Sequence, residues 1–204
     1  MHDNSRVLYQ LHVAPLVRPG MRVLEIGPDK VPSTLQELTH CSDVQWDLLD
    51  LYESPCVQIQ ATDETHFPVP DSKYDVVVAV NVLEHVRRPW LWLRELARVS
   101  RKDGYVATIN PVSWPYHEAP IDCWRVFPEG MKVLYEDAGL DVVLNRCESH
   151  EPIVGQRDTP GRSISAYGWK HRLVDRLLGL AGYPQERCHD TVTIGVNRAR
   201  VTAT

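Results

Sequence analysis

The chain has 204 residues, 43% of them hydrophobic and 24% charged, with a formal net charge of -5. That size and balance fit one globular domain with a substantial core, and the negative charge excludes a protein built to hold nucleic acid, which draws on clustered Lys and Arg. No apolar run of about 18 residues suggests a membrane span, and Met1-His2-Asp3-Asn4 lacks the regions of a signal peptide, so a cytoplasmic protein with no membrane contact is expected.

In chain order, a leading helix is predicted over residues 5–17 and an apolar strand over 21–26, followed by a helix from Pro32, which suits a first helical turn. Strands are predicted at 44–50, 56–61, 74–80 and 105–110. Between the last two, residues 89–100 read as a helix whose Trp90, Leu91, Leu93, Leu96 and Ala97 form an apolar face. Asp103-Gly104 is expected to close it with a turn. Phe127-Pro128-Glu129-Gly130 opens another helix that ends at Ala138-Gly139, and a strand follows at 140–145. A helix at 169–180 and a last strand at 191–197 complete the pattern. Strands alternating with helices describe one doubly wound α/β domain. The basic run of Arg87, Arg88, Arg94, Arg98, Arg101 and Lys102 reads as the solvated side of a helix.

Acids fall where the strands end. Glu25 precedes the single glycine of VLEIGPDKVPSTL, Asp50 closes the second strand, and Asp63-Glu64 follows the third. In a doubly wound sheet these ends open onto one crevice, which should also hold Asp29. A dinucleotide reader would place more glycines there, for the approach to a pyrophosphate. A crevice of acids instead suits a cation, and S-adenosylmethionine, with its sulfonium and ammonium, is such a ligand. A nicotinamide cofactor is the weaker alternative, since the glycine pattern and a Tyr-x-x-x-Lys pair are both missing.

Taken together, VLEIGP, WDLLDL, ATDETHFPVPDSKYDVVVAVNVLEHV and LRELARVSRKDGYVATINP resemble the class I S-adenosylmethionine-dependent methyltransferases, within the small-molecule group with the methyltransferase-11 pattern. The resemblance implies a Rossmann-like seven-stranded sheet with an antiparallel last strand. It also implies a cofactor set of Glu25, Gly27, Asp29, Asp50, Leu51, Asp63, Glu64 and Asn81. Glu25 and Gly27 would line the methionine end, Asp50 would take the ribose hydroxyls, Asp63 the adenine amino group, and Asn81 would lie near the sulfonium. The first motif departs from the family, with Asp29 and Val31 where E-x-G-x-G-x-G often continues.

The sulfonium already activates the methyl group, so a base is needed only where the acceptor must lose a proton, and histidine suits that task. His117 and His85 are the candidates. The stretch NPVSWPYHEAPIDCWRVF sets Trp114, Tyr116, Asp122, Trp124 and Arg125 in a proline-rich loop, and residues 111–127 are read as a substrate loop. It also resembles loops in methyltransferase-like proteins of bacterial biosynthetic and polysaccharide pathways. An Asp122 to Arg125 ion pair that merely stiffens the loop is the competing reading. Residues 149–187 form an insertion and a candidate lid, with the 169–180 helix anchored by Leu173, Val174, Leu177 and Leu178.

Five cysteines are scattered and nowhere paired as C-x-x-C, so neither a disulfide framework nor a zinc knuckle is encoded. His66, His117, His150, His171 and His189 form no local ligand set, and no metal is expected. Methyl transfer to a small molecule, at a hydroxyl of a sugar or natural-product scaffold, is the expected activity. A protein that binds the same cofactor without methylating is the alternative, and the oligomeric state stays open.

Overall fold

A computed structural model of the chain describes residues 1–118, 121–150, 154–155, 173–174, 176–177, 180–181, 185–186 and 188–198. The strands are β1 (Arg22–Ile26), β2 (Gln45–Asp50), β3 (Ile59–Gln60), β4 (Tyr74–Val80), β5 (Ser100–Pro111), β6 (Asp141–Glu148) and β7 (Asp190–Val196). They form a seven-stranded sheet in the order β3-β2-β1-β4-β5-β7-β6. The first five are parallel, and β7 runs antiparallel to both β5 and β6. This is the expected Rossmann-like sheet with its antiparallel last strand. A separate two-residue ladder joins Val154–Gly155 to Gln185–Glu186.

The helices are α1 (Asp3–Leu8), α2 (Thr34–Thr39), α3 (Pro89–Val99) and α4 (Pro128–Asp137). Their apolar faces explain why the sheet is covered on both sides. On β4, Val77 and Ala79 face a core that includes Leu24, Ile26, Leu49, Trp92, Leu93, Leu96, Met131 and Tyr135. Their neighbours Val76, Val78 and Val80 face the opposite way, onto Val23, Ala107, Ile109, Leu8, Tyr9, Val13 and Leu35. A strand buried on both faces must be apolar throughout, and YDVVVAV nearly is.

Several expected boundaries move. The leading helix is divided into α1, a π turn at Tyr9–Val13 and a 3-10 turn at Ala14–Leu16, where Pro15 lacks the N–H needed to continue an α-helix. α2 starts at Thr34 rather than Pro32, because Ser33 accepts from the Gln36 N–H at 3.1 Å while the Gln36 side chain accepts from the Ser33 N–H at 2.8 Å. The 56–61 strand shrinks to Ile59–Gln60, since only these residues pair with β2, at Leu49 and Asp50. Asp103 and Gly104 lie within β5, with Asp103 left-handed at φ 60. Arg98 is a half-buried clamp on Glu95, Asp71 and the carbonyls of Phe67 and Val69, because the loop before β4 folds over α3.

Residues 173–174, 176–177 and 180 are helical, with Leu173, Val174 and Leu177 exposed. Leu178 and most of the 149–187 insertion lie outside the described residues. No described helix is long and apolar enough to cross a membrane. From β1 the chain moves outward to β2 and β3, then returns to β4 and proceeds the other way. The reversal between β1 and β4 is where such sheets open a crevice at their carboxyl ends.

Candidate functional site

Two turns flank the crevice. Gly27, leaving β1, has φ +71, and a Cβ there would lie 2.7 Å from Val82 Cγ2; its N–H donates to the Leu49 carbonyl at 2.9 Å. Asn81, leaving β4, is itself left-handed at φ 56. Its Oδ1 is buried with no hydrogen-bond partner, while Nδ2 lies 3.2 Å from His2 Nε2. A buried acceptor without a donor is costly, so the turn is suited to a ligand that brings one.

The acids are used in different ways. Glu25, buried under the β1 turn, accepts from Ser33 Oγ and from Trp46 Nε1 at 2.8 Å, and burial pushes its carboxyl up to about 7. Asp29 spends both oxygens on Thr34, accepting from its N–H at 3.0 Å and its hydroxyl at 2.6 Å. Burial opposes ionisation of Asp29, yet these bonds hold its pKa below the ordinary carboxylate value. Glu64 accepts from the N–H groups of Arg87 and Arg88 at 3.1 and 3.0 Å, at the start of α3. Asp63 Oδ1 accepts from both the N–H and hydroxyl of Thr65 at 2.7 Å. Asp50 accepts from the Tyr52 N–H at 3.1 Å. Asp50 and Asp63 each keep a second oxygen outside any hydrogen bond among the described residues. Leu51, next to Asp50, packs against the core. Asp50 and Asp63 are therefore the carboxylates with an oxygen left to accept from a ligand.

The acceptor side is built by the loop after β5. Asp122 is nearly fully buried at 2% side-chain exposure, and it takes both arms of the Arg125 guanidinium, NH2 at 2.7 Å from Oδ2. The expected ion pair is thus present, and Arg125 also donates to the Trp114 carbonyl at 3.2 Å. Asp122 accepts from the His117 N–H at 2.9 Å, with His117 Nδ1 3.4 Å away. The rings of His117 and His85 meet edge to face with centroids 5.0 Å apart. His85 Nδ1 bonds the Ile121 carbonyl. Trp124 donates to the Val86 carbonyl at 2.8 Å and packs on the core. Trp114 stacks on the His2 ring at 4.6 Å, whereas Tyr116 points to solvent, 65% exposed, and donates to Glu118.

Two features escaped the sequence reading. Glu84, beside His85, is fully buried with neither carboxylate oxygen hydrogen-bonded, and burial pushes its pKa up to about 8. Its burial comes from the β4 and loop residues around it, which no local pattern encodes. His2, Cys188 and Asp190 converge from opposite ends of the sequence, all buried, with ligand atoms within 4.8 Å of one another. Glu84, His85 and His117 form a second such group. All five cysteines are free thiols.

Comparison with known proteins agrees with the fold. Residues 5–144, more than half of the chain, match the model of a family described as a methyltransferase domain. Among solved structures, an S-adenosylmethionine-dependent methyltransferase from Archaeoglobus fulgidus is similar at 16% identity, with 94% of each chain covered and a TM-score of 0.61. One from Aquifex aeolicus is similar at 17% identity, covering 95% of this chain and 89% of that one, with a TM-score of 0.53. The (4+2)-cyclase SpnF is also similar, at 17% identity, 95% and 81% coverage and a TM-score of 0.61. No curated protein matches. The family's cofactor is S-adenosylmethionine, and the orphaned Asn81 acceptor beside the side-chain-free Gly27 turn fits a ligand bearing an ammonium and a sulfonium. With that turn and the strand order both accounted for, the chain belongs to the methyltransferase-domain family, as an S-adenosylmethionine-dependent enzyme of the class I fold.

Proposed function

We propose that this methyltransferase acts on a small molecule, at a hydroxyl of a sugar or natural-product scaffold, with His117 as general base. The observation that carries the reading is the setting of the His117 ring, whose Nδ1 lies 3.2 Å from the Pro115 carbonyl and 3.4 Å from Asp122 Oδ2. A carbonyl oxygen only accepts, so Nδ1 bears the proton and Nε2 is left basic. Asp122 lies on the Nδ1 side of the ring and fixes it for Nε2 to take the acceptor proton, and Arg125 holds Asp122 in place. His85 is the second candidate: its Nδ1–H donates to a carbonyl in the same way.

Bound S-adenosylmethionine supplies an already activated methyl group. The protein's share is to orient the acceptor, exclude water and take the proton, where alignment contributes up to about 7–11 kcal/mol in model systems. In this reading Asp50 holds the ribose hydroxyls, Asp63 the adenine amino group, Glu25 and Gly27 the methionine end, and Asn81 the region of the sulfonium. Leu51 flanks the ribose, and Asp29 and Glu64 act through the turns they fix. Trp114, Trp124, Tyr116, Asp122 and Arg125 shape the acceptor wall within residues 111–127, and residues 149–187 supply a lid. No nucleic acid or membrane takes part, and the compartment is the cytoplasm.

His117→Ala should lower methyl transfer to hydroxylated acceptors about 100-fold while cofactor affinity stays near that of the parent. Rates with isotopically labelled S-adenosylmethionine decide it. Full turnover in both His117→Ala and His85→Ala would leave alignment alone as the source of catalysis. A second reading, cofactor binding without methylation, is favoured by the likeness to a protein named as a cyclase. It predicts that native mass spectrometry finds the cofactor bound but never converted to its demethylated product across an acceptor panel.

A further inference from the structure

The loop after β5 is stitched to the 3-10 turn Leu83–His85 that follows β4. The Cys123 N–H donates to the Glu84 carbonyl at 2.7 Å, Trp124 Nε1 to the Val86 carbonyl at 2.8 Å, and His85 Nδ1 to the Ile121 carbonyl. A carbonyl only accepts, so the His85 proton is on Nδ1 and Nε2 carries a lone pair. Glu84 Oε1 lies 3.9 Å from that nitrogen.

Glu84 is fully buried and neither of its carboxylate oxygens has a hydrogen-bond partner. Besides His85 on its own turn, the charged groups that act on it are Arg125 and Asp122 from the loop after β5 and Asp190 from β7. Arg125 has both arms on Asp122, so it gives Glu84 no bond. Asp122 and Asp190 oppose a further negative charge. Burial above all, with these two acids, keeps the carboxyl protonated up to about pH 8. A protonated carboxyl is a donor, and a buried donor without an acceptor is costly. The Nε2 lone pair of His85 is an acceptor within reach: an O–H···N bond needs the 3.9 Å gap to close by about 1 Å.

We propose that Glu84 is a positioning residue of the acceptor site, its carboxyl O–H donating to His85 Nε2 and so fixing the ring that holds Ile121 and seats His117. The inference rests on the reading of His117 as the base. With Nδ1 bonded to a carbonyl and Nε2 bonded to Glu84, His85 has no lone pair left for the acceptor's proton. That task falls to His117, whose ring meets His85 edge to face at 5.0 Å. An ionised Glu84 would instead set a carboxylate against the Nε2 lone pair and release the ring from one of its two bonds.

The test is nitrogen NMR of the histidine side chains in the isotopically labelled full chain, which needs no acceptor. Below about pH 8, His85 in the parent should be the Nδ1–H tautomer with its Nε2 resonance moved upfield by the bond. Glu84→Gln, whose amide still donates, should keep that position. Glu84→Met, checked for parental circular dichroism, should return it to that of an unbonded ring nitrogen and displace the His117 resonances as well. Above about pH 8 the parent signal should move as Glu84 ionises, and the Glu84→Gln signal should not, which decides the matter even if Glu84→Met fails to fold. An unbonded His85 Nε2 in the parent, or the same alkaline shift in Glu84→Gln, would overturn the proposal and leave Glu84 a merely enclosed acid. Failure of the base reading shows separately, as full turnover in His117→Ala with the His85 resonances unchanged.

Discussion

A side chain at position 27 would meet two obstacles. A left-handed non-glycine residue costs about 1–2 kcal/mol, and the added methyl would sit 2.7 Å from Val82 Cγ2. Gly27→Ala should lower the melting temperature by several degrees, at about 2–4 °C per kcal/mol for a chain of this size. Adding Val82→Ala should recover the contact part and leave the backbone part. Parental melting in Gly27→Ala alone would show that the turn is looser than described. Asp50 lies at the other end of the same crevice. Losing charge-assisted hydrogen bonds worth about 1.5–3 kcal/mol each, Asp50→Ala should bind S-adenosylmethionine at least about tenfold more weakly by calorimetry. The turn at Gly27 was legible because the strand and its glycine are neighbours in sequence. Glu84 was not, since its consequence comes from being enclosed, and enclosure is a property of the fold.

Among the elements, α2 shows how a helix start and a buried acid share one hydroxyl. Ser33 Oγ caps the Gln36 N–H and donates to Glu25. Ser33→Ala should cost about 1 kcal/mol from the lost cap, with a further loss from Glu25, whose remaining side-chain partner is Trp46. Urea unfolding would measure it, and Ser33→Thr, which keeps the hydroxyl, should restore most of the stability. An unchanged midpoint in Ser33→Ala would mean that water replaces both bonds. Sequence spacing located α3 and α4 closely, because their apolar periods and the proline at each start act locally. It placed Asp29 and Glu64 among the ligand acids, and the structure bonds them to Thr34 and to the start of α3. An acid placed before a helix carries the same sequence signature for either use. Arg98 was misread for a related reason: its partners Asp71, Phe67 and Val69 lie on a loop whose path only the fold determines.

Across the whole molecule, the buried acids set a pH dependence. Glu84 and Glu25 hold their protons in the folded state up to about 8 and about 7, whereas in the unfolded chain both ionise in the ordinary glutamate range, near 4.5. Between those values the folded state binds more protons, so stability falls as pH rises, at about 1.36 kcal/mol per unit of displacement for each group. Asp47, Asp122 and Glu148 work in the opposite sense, since their salt bridges and hydrogen bonds hold them ionised to lower pH against the cost of burial. Their contribution is lost as pH falls through the acid range. Melting temperature should therefore peak at mildly acidic pH and decline toward about pH 8. Glu84→Gln should flatten the alkaline decline even if it lowers the maximum. A melting temperature that climbs steadily to pH 8 would contradict the buried, protonated state of Glu84.

The place of β7 in the sheet has a consequence for how the protein is made. It lies between β5 and β6, yet both of its neighbours precede it in the chain. A ribosome emitting this sequence releases β5 and β6 with the edges that will face β7 still bare, and bare strand edges invite pairing with other chains. Only when residues 190–196 emerge can the gap fill, bringing Asp190 to Asn4 and Ser5 near the start of the chain. This end of the crevice is thus assembled only after residues 190–196 have been synthesised, and a nascent chain stalled before β7 would be an aggregation hazard that a chaperone must cover.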